Sequence, residues 1–282
     1  MIAAEPLKTE KASATLYREA PSHEGRRTAA IGKFACNSAA QGRKLLDETM
    51  TLLRSEGFEA VIGPMDGDTW HSYRLVSQSD GTPPFLLEPV SQPHDQAAFA
   101  AAGFAPISEY VSARTTVAAA LLCQAPFSLP GLTVTPWDGK NAEGLIAPLY
   151  ELSATAFSNN PFYKPLDLAG FRVLYEPVIP RIDPRHVMFA HDDTGKLAGF
   201  ILSIPNWLEG PQPKTLIIKT YATTVRGGGR MLLDMAHHKA AQLGFTHAIH
   251  ALMHNNNVSR NASAKHGGQV FRKYLLMGRS LP

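Results

Sequence analysis

The chain has little of what several protein classes require. Its 282 residues hold two cysteines, Cys36 and Cys123. That excludes a disulfide framework or a CxxC pair and fits a reducing, cytoplasmic setting. No apolar run approaches the length of a membrane span; the longest candidate, Val117 to Cys123, is far too short. The formal charge is only +3 and the basic residues are scattered, which gives no footprint for nucleic acid or for a membrane surface. There are eleven histidines, but no HExxH and no Cys/His cluster in the sequence, so no metal site is expected. GxSxG, P-loop and kinase patterns are absent. The turn Gly227-x-Gly229-x-x-Leu232 lacks the third glycine of a dinucleotide fingerprint. The first residues, Met1 to Pro6, carry no basic-then-apolar leader pattern, and 1–13 reads as a poorly ordered tail.

Against these absences stands one chemically pointed segment. A β-branched run, Ile217 to Val225, leads directly into Arg226-Gly227-Gly228-Gly229-Arg230, and an amphipathic helix pattern follows until Gly244-Phe245. A strand feeding a glycine-rich turn that opens a helix is a phosphate cradle. The first helical amides lack intrahelical partners and carry partial positive charge, and glycine lets a ligand approach the backbone. Arg226 and Arg230 add charge at the same place.

The pattern occurs twice. Shifting 30–72 onto 217–259 without a gap pairs Gly42-Arg43 with Gly229-Arg230, Leu45-Leu46-Asp47 with Leu232-Leu233-Asp234, and Gly57-Phe58 with Gly244-Phe245. Ala35, Ile62 and Ser72 fall on Ala222, Ile249 and Ser259. Further on, Gly103 and Tyr110 keep the spacing of Gly267 and Tyr274. Two copies so far apart mean tandem related domains, not a solenoid. Pro126, Pro130 and Pro136 punctuate the join, so the expected division is 14–124 and 125–282.

The first copy reads as a strand over 29–36, a helix over 40–55 ended by Gly57, a strand over 60–65, a short helix over 97–102 and an extended 106–117, with 14–20 as a hairpin partner. The second reads as a strand from Leu132, helices over 144–157 and 171–179, strands over 186–191, 199–204 and 216–224, the glycine-turn helix, a strand over 246–254, a short helix over 259–266 and a last strand over 269–279.

This order, together with the glycine turn, resembles the GNAT (Gcn5-related N-acetyltransferase) superfamily. The resemblance implies an α/β fold of two tandem GNAT-like domains with mixed central sheets flanked by helices. The family's acyl-CoA signature, Gln/Arg-x-x-Gly-x-Gly/Ala, is matched by Arg226-Gly227-Gly228-Gly229-Arg230-Met231, with Met231 in place of the small last residue. Asn256 takes the position of a family asparagine, whereas Ser263 stands where a tyrosine often protonates the departing thiolate. The first copy has Ala39, Ala40 and Gln41 where the second has Arg226, Gly227 and Gly228, and it lacks an equivalent of the first strand and first two helices. It is expected to have lost CoA binding.

The resemblance implies acetyl-CoA as co-substrate and a small-molecule or peptide amine as acceptor. The amides of Gly227, Gly228, Gly229 and Arg230, with Arg226, meet the pyrophosphate. Strand 216–224 is expected to splay from its neighbour, freeing backbone at Tyr221, Ala222 and Thr223 for the pantetheine arm; Asn256 and Ser259 lie on the same side. An ammonium acceptor, with a pKa near ~10.4, must lose a proton before attack. His250 and His254, four apart on one strand, are the candidate bases, with Ser263 as candidate acid. Both cysteines lie in the first copy, so direct transfer in a ternary complex is expected, by a monomer. The rival readings are a CoA-binding regulatory module without turnover and an aminoacyl or long-chain acyl transferase. The segment Gly63 to Arg74, rich in aromatic and polar groups, is expected at the domain interface, with a place at the acceptor pocket as the other reading.

Overall fold

The computed structural model describes residues 4–122 and 127–282. Cys123, Pro126 and the 124/125 division fall outside the described residues. Twelve strands build one continuous sheet: β1 (Ala4–Lys8), β2 (Ala12–Tyr17), β3 (Thr28–Cys36), β4 (Ala60–Gly63), β5 (Leu75–Ser79), β6 (Ala105–Thr116), β7 (Leu132–Pro136), β8 (Val187–Asp192), β9 (Leu197–Pro205), β10 (Thr215–Thr223), β11 (His247–His254) and β12 (Gln269–Ser280). The helices are α1 (Ala39–Ser55), α2 (Asp95–Ala101), α3 (Val117–Leu122), α4 (Ala142–Phe157), α5 (Leu168–Tyr175), α6 (Gly228–Gln242) and α7 (Val258–Lys265).

The strand order is β1-β2-β3-β4-β12-β6-β11-β10-β9-β8-β7, with β5 also on β12. The last strand of the first copy, β6, therefore pairs with β11 of the second, and the last strand of the second copy, β12, pairs with β4 of the first. The two exchanged strands pair antiparallel with each other in the middle of the sheet. Each copy completes the other's sheet, and no unpaired edge remains at the join.

The internal repeat is structural as well as sequential. The parallel pair β3–β4 sets Ala30 opposite Ile62, and β10–β11 sets Ile217 opposite Ile249. These pairs are related by the same shift that aligns the glycine turns. Both long helices end alike. Gly57 and Gly244 adopt φ of 76° and 81°, and the amides of Phe58 and Phe245 return to the carbonyls of Leu53 and Ala240. This is the six-to-one bond of a glycine-terminated helix. α1 buries Leu45, Leu46, Met50 and Leu53, and α6 buries Leu232, Leu233, Ala236 and Ala240.

Several elements differ from the sequence reading. Residues 4–8, expected as part of a loose tail, form the edge strand β1 on β2. Its exposure alternates half-buried with exposed; Leu7 packs on the core, and Arg18 joins Glu5 to Glu56. The second helix of the second copy starts earlier than expected, because Asp167 caps it by accepting from the Gly170 amide. Strand β5 and helix α3 have no counterpart in the sequence reading.

Candidate functional site

β10 and β11 run parallel only from Thr215/His247 to Ile218/His250. Beyond that point they part. Lys219 forms a bulge in the pairing of β10 with β9, which resumes at Thr220 opposite Leu202. β11 bulges as well: its register against β6 shifts between His250 and Met253, with Leu252 at φ 58°. A bulge bends a strand and re-aims its side chains. Two bulges at one level open the sheet between Lys219–Thr223 and Ala251–His254.

The glycine turn sits at the end of the opened strand. Gly227 takes a left-handed conformation (φ 87°) that favours glycine, and α6 begins without a side-chain cap. Among the described residues, no partner takes the amides of Arg226, Gly227 or Gly229. A Cβ at Gly228 would stand 2.7 Å from the Thr223 hydroxyl, and one at Gly229 would stand 3.2 Å from the Tyr221 ring, so the turn is built for glycine. Arg226 is exposed. The Arg230 guanidinium lies 4.3 Å from the centre of the Phe127 ring, and its Nε is buried without a hydrogen-bond partner. Bare amides and two arginines suit a diphosphate.

The first copy's equivalent is closed. Ser38 caps α1 by accepting from the Gln41 amide. A Cβ at Gly42 would meet Ala98, Cys36 and Phe34 at 2.7–2.8 Å. Where β3 parts from β4, Asp66 accepts the Lys33 amide (2.8 Å) and Met65 donates its amide to the Ile31 carbonyl (2.8 Å). The helix start is thus capped and packed, and Asp66 and the Met65–Ile31 backbone bond bridge the opening between the strands, beside a cavity of about 80 Å³ that Lys33, Phe34, Asp66 and Arg74 line. Cys36, His94 and Asp95 come together here, a grouping of potential metal ligands that sequence spacing does not reveal. They also satisfy one another: the Cys36 thiol donates to Asp95 (3.7 Å) and His94 Nε2 donates to the Cys36 carbonyl (2.7 Å).

The two candidate histidines do not share a side. The β11 bulge breaks the two-residue alternation that would have aligned them. His250 points into the layer beneath α6 and α7, 3 % exposed, with its ring nitrogens on Ser263 Oγ (2.6 Å) and His237 Nε2 (3.0 Å). Burial, then the neighbouring His237 and His266, holds its pKa well below the ordinary value. Next to it His266 stacks on His237 and bonds to Asp234. His250 is therefore a member of a buried network, not a base at the opening. Ser263 is buried with its hydroxyl committed to His250, so it is in no position to protonate a departing thiolate.

His254 lies at the end of β11, edge-on to Tyr110 (5.1 Å between centres) and beside a cavity of about 280 Å³ that Ser108, Glu109, Asn255 and Asn256 also line. Its Nδ1 accepts from the Asn256 amide (3.2 Å) and its Nε2 donates to Ser108 Oγ (3.1 Å). Burial, then the Arg74 charge, lowers its pKa, so it is neutral but without a free lone pair. Asn256 is exposed; the neighbouring Asn257 is the residue that caps α7, accepting from the Ser259 amide. Tyr221 faces α6, its hydroxyl in contact with Ser259, and burial pushes its pKa up to about 12. Its backbone and those of Ala222 and Thr223 pair with β9 on one side and border the gap on the other.

The Gly63–Arg74 segment, expected at the interface or the acceptor pocket, sends Trp70 and Arg74 to the second copy. Trp70 inserts among Phe157, Tyr163 and Phe171 of the second copy and donates from Nε1 to the Lys164 carbonyl (3.0 Å). The 63–74 segment thus docks the two copies. At its end Arg74 donates from Nη1 to the Leu252 carbonyl on β11 (3.1 Å), its guanidinium 3.8 Å and 4.0 Å from the centres of the Tyr73 and Tyr110 rings. The aromatic cluster was the available signal for the interface, but nothing local marked Arg74 as reaching another strand.

No protein-family profile matches the sequence. No curated protein matches it significantly. Solved structures do. A tandem GNAT protein from the clavulanic acid biosynthesis pathway superposes over 99 % of this chain and 83 % of its own, with TM-score 0.60 and 15 % identity. A GCN5-related N-acetyltransferase from Sphaerobacter thermophilus covers 96 % and 77 %, with TM-score 0.58 and 13 % identity. A probable N-acyltransferase from Enterococcus faecalis covers 96 % and 59 %, with TM-score 0.57 and 11 % identity. The chain carries the GNAT fold twice, in tandem. No helix among the described residues is long and apolar enough to cross a membrane.

Proposed function

We propose that the second copy binds an acyl-CoA, acetyl-CoA in the simplest case, and transfers the acyl group to an amine by direct attack in a ternary complex. The observation that carries this reading is the contrast between the two glycine turns: one without a side-chain cap and with unpaired amides, the other capped by Ser38. The amides of Arg226, Gly227 and Gly229 and the guanidinium groups of Arg226 and Arg230 hold the diphosphate; the amides of Gly228 and Arg230 are engaged within the turn, on Val225 and Gly227. The gap-facing backbone of Tyr221, Ala222 and Thr223 receives the pantetheine amides, and an amide on this edge polarises the thioester carbonyl as it becomes an oxyanion. Asn256 and Ser259 border the cofactor from the α7 side.

The nitrogen lone pair attacks the carbonyl carbon, and the carbon–sulfur bond breaks as the thiolate leaves. A CoA thiol, with a pKa of about 8.5 by analogy with cysteine, departs without an acid. This fits a chain whose Ser263 is buried on His250. Both candidate histidines have engaged ring nitrogens, so the amine's proton passes to water. The acceptor is a small-molecule or peptide amine, bound by a monomeric cytoplasmic protein with no part for nucleic acid, membrane or a resident metal.

The engaged histidines and serine also favour one rival, a CoA-binding module without turnover. Incubation with acetyl-CoA and a panel of amines separates the two. Amine-dependent release of thiol supports transfer; tight binding of CoA without release supports the module.

A further inference from the structure

The opened β10–β11 gap carries one buried cation, Arg74, and one half-buried cation, Lys219, and no acid pairs with either among the described residues. Lys219 occupies the β10 bulge, at the level where the strands part. Arg74, 6 % exposed, reaches the same level from the first copy through its bond to Leu252 on β11. The two charges repel: Arg74 and burial together hold the Lys219 ammonium down to about 8, burial being the larger cause, and the same arginine lowers His254. Among the described residues neither Lys219 nor Arg74 has a carboxylate within 4.0 Å. Arg74 receives two tyrosine faces and the carbonyls of Tyr73 and Leu252; Lys219 has no hydrogen-bond partner among the described residues. Burying charge without a counter-charge is costly, and a chain that keeps two such cations at one opening gains most when an anion arrives there.

We propose that Lys219 and Arg74 form a receptor for an anionic oxygen group, a carboxylate or a phosphate ester, carried by the acceptor amine. This rests on the acyl-transfer reading above and names the acceptor class within it. Lys219 remains mostly protonated at neutral pH, so both groups present positive charge. Arg74, fixed by the tyrosines and two carbonyls, offers its remaining Nη2 donors, and Lys219 adds a point charge. The ion pair anchors the acceptor at the level where β10 and β11 part, with its nitrogen directed along the gap toward the thioester. The first copy contributes specificity, through Arg74, to chemistry done on the second.

Acyl transfer from acetyl-CoA is measured with matched amines: amino acids beside their carboxamides, and phosphoethanolamine beside ethanolamine. The anionic member of at least one pair is favoured by ~10-fold or more in kcat/KM, mainly through KM. Lys219→Met lowers that preference toward unity, and Arg74→Gln does the same. The first pair reports a carboxylate site and the second a phosphate site. Equal kcat/KM within every pair overturns the proposal, as does a preference that survives Lys219→Met. A preference for succinyl-CoA over acetyl-CoA that Lys219→Met removes places the anion on the donor and also overturns it. Should no amine be acylated, the acyl-transfer reading fails, and calorimetry of the same matched amines into the purified protein still decides the site. Tighter binding of the anionic members, lost in Lys219→Met, supports it; equal or absent binding overturns it.

Discussion

Tyr110 and Tyr274 stand directly opposite each other in the β6–β12 register, at the centre of the sheet. They occupy equivalent positions in the two copies, so the local two-fold axis of the molecule passes between them. Their surroundings are not equivalent. Tyr110 supports Arg74, His254 and Tyr73 with its ring. Tyr274 donates to Glu88 and contacts Ser112 Oγ at 3.0 Å, inside packed protein. Duplication supplied a symmetric frame, and the helix start in one half of it is capped.

Charge at the open turn should govern cofactor binding. Arg226→Glu replaces attraction to a diphosphate by repulsion at an exposed position, so the fold should be untouched. Affinity for CoA should fall by ~10-fold or more, read by calorimetry. Arg43→Glu, beside the closed turn at the position equivalent to Arg230, should leave affinity within ~2-fold.

Gly42→Val tests the filled turn. Its Cβ would lie 2.7–2.8 Å from Ala98, Cys36 and Phe34, in a well-packed cluster. Overpacking of this kind costs ~1–3 kcal/mol, visible as a lower denaturation midpoint. A variant as stable as the parent would show that the first copy's turn has free space.

Ser263→Ala separates a structural from a chemical role. It leaves Nδ1 of the buried His250 without its partner at 2.6 Å. Stability should drop by ~1–3 kcal/mol. A fall in turnover at unchanged stability would instead restore Ser263 as an acid.

The buried histidines make stability depend on pH. Burial, then the His266 charge, holds His237 at about 4, and His250 lies well below its ordinary value. A folded pKa depressed below the unfolded value of about 6.5 means the unfolded chain binds more protons as pH falls. The stabilisation is complete above pH ~6.5 and is lost from there down toward pH ~4. Around His237 stand His266, Asp234 and His238, and His237 alone should contribute a loss of about 2 kcal/mol by pH 5. Urea midpoints at pH 7.5 and 5 check this, and His237→Gln should flatten the difference.

The duplicated helix and its two glycines were legible in the sequence because helix periodicity, a C-terminal glycine and a glycine turn are local signals. The strand exchange was not, since β6 and β12 have the same pattern whichever neighbour they pair with. The opening itself was expected, but its cause was hidden. Leu252 takes a left-handed conformation without being glycine, and no local pattern predicts the Lys219 bulge. Those bulges turned His250 away from His254, so period-two reasoning failed where the function is proposed to lie. Arg74 and Lys219 meet only through tertiary structure, 145 positions apart in the chain.

The exchange also bears on assembly. Each copy already has its partner within the chain, so light scattering should give a monomer near 30.6 kDa. A stable dimer would show that the internal pairing leaves a further interface unmet.

Calorimetric titration of the purified chain with acetyl-CoA is the most direct test of whether the Arg226–Arg230 turn holds a diphosphate. One molecule should bind per chain at micromolar concentration, and Arg226→Glu should weaken it. No heat of binding at millimolar acetyl-CoA, or two equal sites per chain, would contradict the account.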